Sequence, residues 1–292
     1  MNLLAAREPV SAGTEKSFPM VSLLWFVVGA VILRLLAIPA WMFFPEHGLF
    51  ARVARVAIPM LVLVGLVFLN RALLVRDGFP RDALGLGLRR IGWLVGGGVF
   101  ITAVMLAITG ALWLQVPFHW ERGALTWPQV GWKTAEYLAG NSGEELMFRG
   151  YFLIVLAQYL GLTRALIIGA VFFGLFHLPG LTGMEALKMI CTTAAMSFTF
   201  AYGYVLTGSL WTAVGLHVFG NVTLHEVLGA SGKSGILNIV FDEPWPDTYD
   251  PGFVACLVVT IPLAVIGWLL VRRSGSRLAG QSAKVEQSRS LL

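Results

Sequence analysis

The chain has 292 residues, 57% of them hydrophobic and only 13% charged, with a net charge of +5 and a mean hydropathy of +0.76. Soluble domains are typically ~45–50% apolar and ~25% charged, so this balance excludes an ordinary soluble fold and indicates a polytopic membrane protein. The basic excess does not indicate nucleic acid as a partner, because the arginines cluster beside hydrophobic runs and read as topology determinants.

Residues 1–19 are polar, carry Arg7, Glu8, Glu15 and Lys16, and read as a cytoplasmic N-terminal segment. The apolar stretch behind them is too long for a signal-peptide core and has no small-x-small cleavage site, so it reads as a retained signal anchor. Hydropathy then gives eight candidate spans, at 20–44, 56–74, 91–115, 133–160, 163–177, 186–207, 210–228 and 253–271. The fourth is long and the fifth short, so breaks or tilts are expected there. The expectation is an all-α membrane helical bundle over 20–272, followed by a disordered cytoplasmic tail at 273–292. No 20–50-residue repeat is visible. Pro39, Pro59 and Pro262 read as tolerated kinks.

Lys/Arg bias sets the orientation. Arg71, Arg76, Arg81, Arg89 and Arg90 fill the second loop, and Arg272, Arg273, Arg277, Lys284 and Arg289 follow the last span. Both termini are therefore expected in the cytoplasm, in a plasma (inner) membrane protein. The seventh loop, with Asp242, Glu243, Asp247 and Asp250 against one lysine, suits the outer face. Trp41, Trp113, Trp120, Trp127 and Trp132 lie near span ends, as an aromatic belt would. Cys191 and Cys256 are the only cysteines; their isolation gives neither a disulfide framework nor a metal site.

The fourth span contains Gly143-Glu144-Glu145-Leu146-Met147-Phe148-Arg149-Gly150. A charged side chain at the bilayer centre costs at least ~2.5–3.5 kcal/mol, which makes intramembrane ionisable groups functional-site candidates. On a helix Glu145 and Arg149 are four apart and share a face, so they can pair. Glu144 is rotated by about 100° and is left for proton chemistry in a low-dielectric pocket. The fifth span ends at His177. The seventh carries His217 and Asn221, again four apart and on one face, and costly to bury unpaired. Three spans thus donate polar groups toward one site. The remaining polar residues read more plainly: His225 and Glu226 as interfacial, His47 and His119 as solvated loop residues, and Glu136 and Asn141 as capping or helix-end residues, or else as support behind the motif. Arg34 in the first span reads as snorkelling or as paired with a carboxylate, with no particular partner assigned.

Glu-Glu-x-x-x-Arg (Glu144 to Arg149), Phe-x-x-x-His (Phe173 to His177) and His-x-x-x-Asn (His217 to Asn221), in that order on separate spans, resemble the motifs of the CPBP family. These are the CaaX-protease and bacteriocin-processing (Abi) intramembrane proteases. The likeness covers about residues 133–228 as a protease core. It implies that Glu144 activates water for attack on a peptide carbonyl, with His177 holding or polarising that water. It further implies that His217 and Asn221 stabilise the oxyanion, and that Glu145 and Arg149 support them. The implied partners are a membrane-associated protein or peptide substrate and the lipid bilayer. No cofactor is expected; were a metal bound, zinc on Glu144, His177 and His217 is the set the residue types allow. Two other readings compete: a non-catalytic immunity or peptide-binding protein of the same family, and a transporter or proton relay, which the lack of an inverted repeat disfavours.

Overall fold

The computed structural model describes residues 18–45, 48–114, 117–178, 180–229, 235–242 and 257–273. Most of the N-terminal segment, the tail after Arg273, His47, Cys256 and the acidic residues Glu243, Asp247 and Asp250 lie outside them. The described chain is an all-α membrane bundle with one small sheet. Its helices are α1 (Met20–Met42), α2 (Leu49–Arg76), α3 (Gly92–Trp113), α4 (Trp127–Arg149), α5 (Tyr151–Leu160), α6 (Leu162–Phe176), α7 (Gly183–Thr207) and α8 (Leu210–Asn221). A ninth, α9, covers residues 257–273. Within the described residues each predicted span falls on helix apart from its ends, with one division: the fourth splits into α4 and α5 at Gly150.

Four stretches are long and apolar enough to cross a membrane: α1, α2, residues 88–111 including most of α3, and α7. Their large apolar side chains face outward, as at Leu24, Leu61, Phe68, Val99 and Leu187. Lipid, not water, is the medium that such a surface suits. α4 is of another kind. It carries Glu136, Asn141, Glu144, Glu145 and Arg149, and it is sheltered between α2 and α8. A capping box starts it, in which Gln129 Oε1 accepts from the Thr126 backbone N–H at 2.8 Å, satisfying a donor the helix cannot.

The division at Gly150 has a local cause. Asn70 on α2 reaches in, and its Oδ1 accepts from the Tyr151 N–H at 2.6 Å while its Nδ2 donates to Leu66 O at 2.8 Å. A side chain at position 150 would collide with that same amide oxygen, so only glycine permits the approach. The Tyr151 hydroxyl then donates to Asp77, which also accepts from Ser22. This ties the start of α5 to the ends of α1 and α2.

α3 and α8 pack backbone to backbone. A Cβ at Gly97 would meet the Thr212 carbonyl, and one at Gly215 would meet the backbone of Leu94; close approach through glycine is how membrane helices gain van der Waals contact. α7 ends at Gly208, whose φ of 63° is left-handed, as suits a helix terminus. Its carbonyl accepts from Arg90 at 2.5 Å, so the 83–90 connection and the α7–α8 turn lie together. At the other end, β1 (Phe118–Arg122) and β2 (Leu237–Phe241) pair antiparallel, with Trp120 opposite Ile239. His119 belongs to this exposed sheet, not to a loop: Nδ1 meets Asp242 at 2.5 Å and Nε2 meets Glu121 at 3.4 Å. Hydrogen bonding to Asp242, then to Glu121, holds its pKa above the ordinary 6.5.

Candidate active site

α4 turns one buried face toward α6, α7 and α8. Asn141, Glu145 and Arg149 follow at four-residue steps, and Glu144 lies beside them. Each carboxylate is the centre of an arginine–glutamate–histidine group, and the two groups differ in depth.

The inner group is sealed. Glu145 Oε1 accepts from Arg149 Nη1 at 3.3 Å and from His217 Nδ1 at 2.8 Å, with Glu145 0% and Arg149 1% exposed. The predicted Glu145–Arg149 pair is present, and His217 joins it. Arg149 Nη2 donates to Ser197 on α7, at 2.7 Å to Oγ and 3.1 Å to the carbonyl. Its guanidinium lies 4.3 Å from the Phe173 ring centre and 5.5 Å from that of Phe200. The His217 ring stacks on Phe200 at 4.6 Å. A buried ion pair of this kind is tolerable only because hydrogen bonds and ring faces replace the lost water.

The outer group is looser. Glu144 Oε2 faces His177 Nε2 at 3.6 Å, and Glu144 Oε1 faces Arg34 Nη2 at 3.6 Å. The side chains of His177 and Arg34 are 25% and 30% exposed, that of Glu144 only 10%. His177 follows the last residue of α6, and its Nδ1 donates to the Phe173 carbonyl at 2.7 Å. That bond fixes the ring and leaves Nε2, an acceptor in the neutral imidazole, toward Glu144. The four-residue spacing of Phe173 and His177 thus has a double use, since the Phe173 ring also lies 4.7 Å from His177 and 5.9 Å from His217.

Asn221 ends α8 one turn beyond His217 and is partly exposed. No hydrogen bond joins its side chain to the two carboxylates or the two histidines. The helix continues from it as a π-type segment, Val222–Val227, a feature frequent at functional sites. Three buried atoms on α4 have no hydrogen-bond partner in the protein: Asn141 Nδ2, Glu144 Oε2 and Glu145 Oε2. Asn141 is therefore not a capping residue; it is a buried amide one turn before the glutamates.

Several sequence readings are corrected here. Glu136 is not a helix-end group but a bidentate partner of Arg55, at 3.0 and 3.1 Å. Glu226 is buried, not interfacial, and accepts from the Tyr137 hydroxyl at 2.7 Å, because the π-type segment turns it back onto α4. Of the two readings of Arg34, pairing with a carboxylate is the one seen, and the carboxylate is Glu144. The only signal of Arg34 in the sequence was its presence as the sole charge in an apolar span. Nothing in the spacing connects positions 34 and 144, nor flags Ser197 and Asn70.

Among the described residues no group of three His, Cys, Asp or Glu side chains converges as a metal site.

The chain is thus a helical membrane bundle in which two carboxylates and two imidazoles meet between helices. Residues 127–223 match the family model described as type II CAAX prenyl endopeptidase Rce1-like, a protease family, and this agrees with the CPBP resemblance of the three motifs. The match begins at the first residue of α4 and ends two residues beyond Asn221. No curated protein matches the chain.

Proposed function

We propose that this chain is an intramembrane endopeptidase that cuts a peptide bond of a membrane-associated protein or peptide with water activated by Glu144. The observation that carries the reading is the facing of Glu144 Oε2 and His177 Nε2 at 3.6 Å, with Oε2 lacking a protein donor. The two atoms face one another with no hydrogen bond between them, so each is left with capacity to bond a water that lies beside the pair.

Glu144 takes a proton from that water as its oxygen attacks the substrate carbonyl, and His177 orients the water. The charge gathering on the carbonyl oxygen falls to the Asn221 amide N–H and to His217. His217 has Nδ1 committed to Glu145, so its Nε2 donates in the imidazolium form. Glu144 then returns the proton to the leaving amine as the C–N bond breaks. Water supplies every atom gained, and no step passes through a metal. Glu145 and Arg149 hold α4, α7 and α8 in register. The Arg-rich stretch from Arg71 to Arg90 faces the cytoplasm, as do both termini, and the membrane is the plasma membrane.

The test compares membrane-associated peptides in a strain with the wild-type gene and in one carrying Glu144→Gln. Products present in the first and missing in the second support the reading; identical profiles overturn it.

A further inference from the structure

We propose that Arg34 is the positioning residue for Glu144, supplied by α1 from outside the segment that matches the family model. This rests on the reading of Glu144 as the water-activating group. Arg34 is the only charged residue of α1, and a lone guanidinium in an apolar span must find a counter-charge. It finds Glu144 Oε1 at 3.6 Å. Its guanidinium is also flanked by two rings, Trp41 two turns along α1 and Phe176 on α6, each with its centre 5.2 Å away. The planar cation thus lies against two ring faces as well as the carboxylate, a combination of contacts that a compact ammonium does not reproduce.

The two glutamates of α4 show why a second helix is needed. Glu145 has a cation one turn along its own helix, in Arg149. The corresponding position for Glu144 is Phe148, and one turn back is Gly140, so α4 offers Glu144 no partner. α1 provides one, and the result is a second arginine–glutamate–histidine group beside the first. With Oε1 drawn toward Arg34, Oε2 is the oxygen presented to His177. Arg34 thereby selects which carboxylate oxygen does the chemistry. Phe176, which lies against Arg34, also packs edge-on against the His177 ring, with centres 5.5 Å apart.

The experiment uses the purified full chain in nanodiscs and, as substrate probe, membranes from a strain lacking the gene. The rate at which new peptide N-termini appear is read by mass spectrometry for wild type, Glu144→Gln, Arg34→Ala, Arg34→Gln and Arg34→Lys, with thermal unfolding of each. Arg34→Ala and Arg34→Gln should cleave about 10–100-fold more slowly, as small misplacement of a catalytic group costs, with unfolding temperatures near wild type. Arg34→Lys should fall between. Millimolar guanidinium should restore part of the rate in Arg34→Ala, whose site is partly open, and none in Glu144→Gln; ammonium should restore less. Wild-type rates in Arg34→Ala with Glu144→Gln dead overturn the role of Arg34 alone. So does an unrescued Arg34→Ala, or unfolding of both Arg34→Ala and Arg34→Gln, which would make the residue structural. New termini that Glu144→Gln produces as well as wild type, or none from wild type, overturn the protease reading itself.

Discussion

His217 and Glu145, 72 residues apart in sequence, are joined by a 2.8 Å hydrogen bond from the imidazole Nδ1 to the carboxylate. The histidine proposed to face the substrate is therefore oriented by the helix that carries the proposed base. Because Arg149 contacts the same carboxylate oxygen at 3.3 Å, α4 and α8 share one electrostatic joint.

Breaking that joint should destabilise the bundle. Arg149→Met leaves the fully buried Glu145 carboxylate short of a cation, and removing one partner of a buried pair costs ~3–5 kcal/mol. Glu145→Gln with Arg149→Met should lose less than the sum of the single changes, since each single variant strands the other's charge. Thermal unfolding in nanodiscs measures both.

Glu144→Gln should behave oppositely, folding and inserting like wild type while losing ~10²–10⁴-fold in cleavage, the usual weight of a general base. Its contacts are longer and partly exposed, so little stability depends on them.

Asn221→Ala should lower turnover ~10–10³-fold, as loss of an oxyanion donor does, with no large change in unfolding temperature. Its side chain is not built into either arginine–glutamate–histidine group. An equal loss in Asn221→Ala and Asn221→Asp would fit a donor; full activity in both would remove Asn221 from the site.

Gly215→Val should displace α8 from α3, because the added carbons would meet the backbone of Leu94. Cleavage and stability should fall together, since His217 lies two residues on. Gly110→Ala, where nothing lies near the added carbon, serves as the neutral control.

His119 gives a pH signature remote from the site. Its folded pKa lies above 6.5 because Asp242 and Glu121 bond to it. A raised folded value means that the stabilisation is complete below the unfolded value and fades as pH rises through the folded one. NMR titration of the ring should show the elevated pKa, and Asp242→Asn should lower it. Full exposure keeps the effect on overall stability small.

What the sequence disclosed and what it hid follow from the range of each interaction. Glu145–Arg149 is a four-residue relationship on one helix, so spacing exposed it, whereas Phe173 and His177 were linked only as a motif of the family resemblance. The bonds of His217 to Glu145, Arg34 to Glu144 and Asn70 to Tyr151 span 72 residues or more, and they depend on which helices become neighbours. The interfacial reading of Glu226 failed because no periodicity announces a π-type turn, and the single fourth span was drawn through Gly150 because apolarity continues across it. Motif order along the chain identified the helices that build the site. It was silent about α1, whose contribution is a single residue.

The small sheet has a mechanical consequence. β1 ends a few residues before α4 begins, and β2 follows the π-type segment that prolongs α8, with the Ile236 N–H donating to Glu226 O at 2.9 Å. Those two helices are thus hasped together at one end, and their shared carboxylate–imidazole joint rivets them lower down. The contacts that α1 and α6 bring to the same helix, through Arg34 and His177, are longer and more open, so the α4–α8 side is the more tightly fastened of the two.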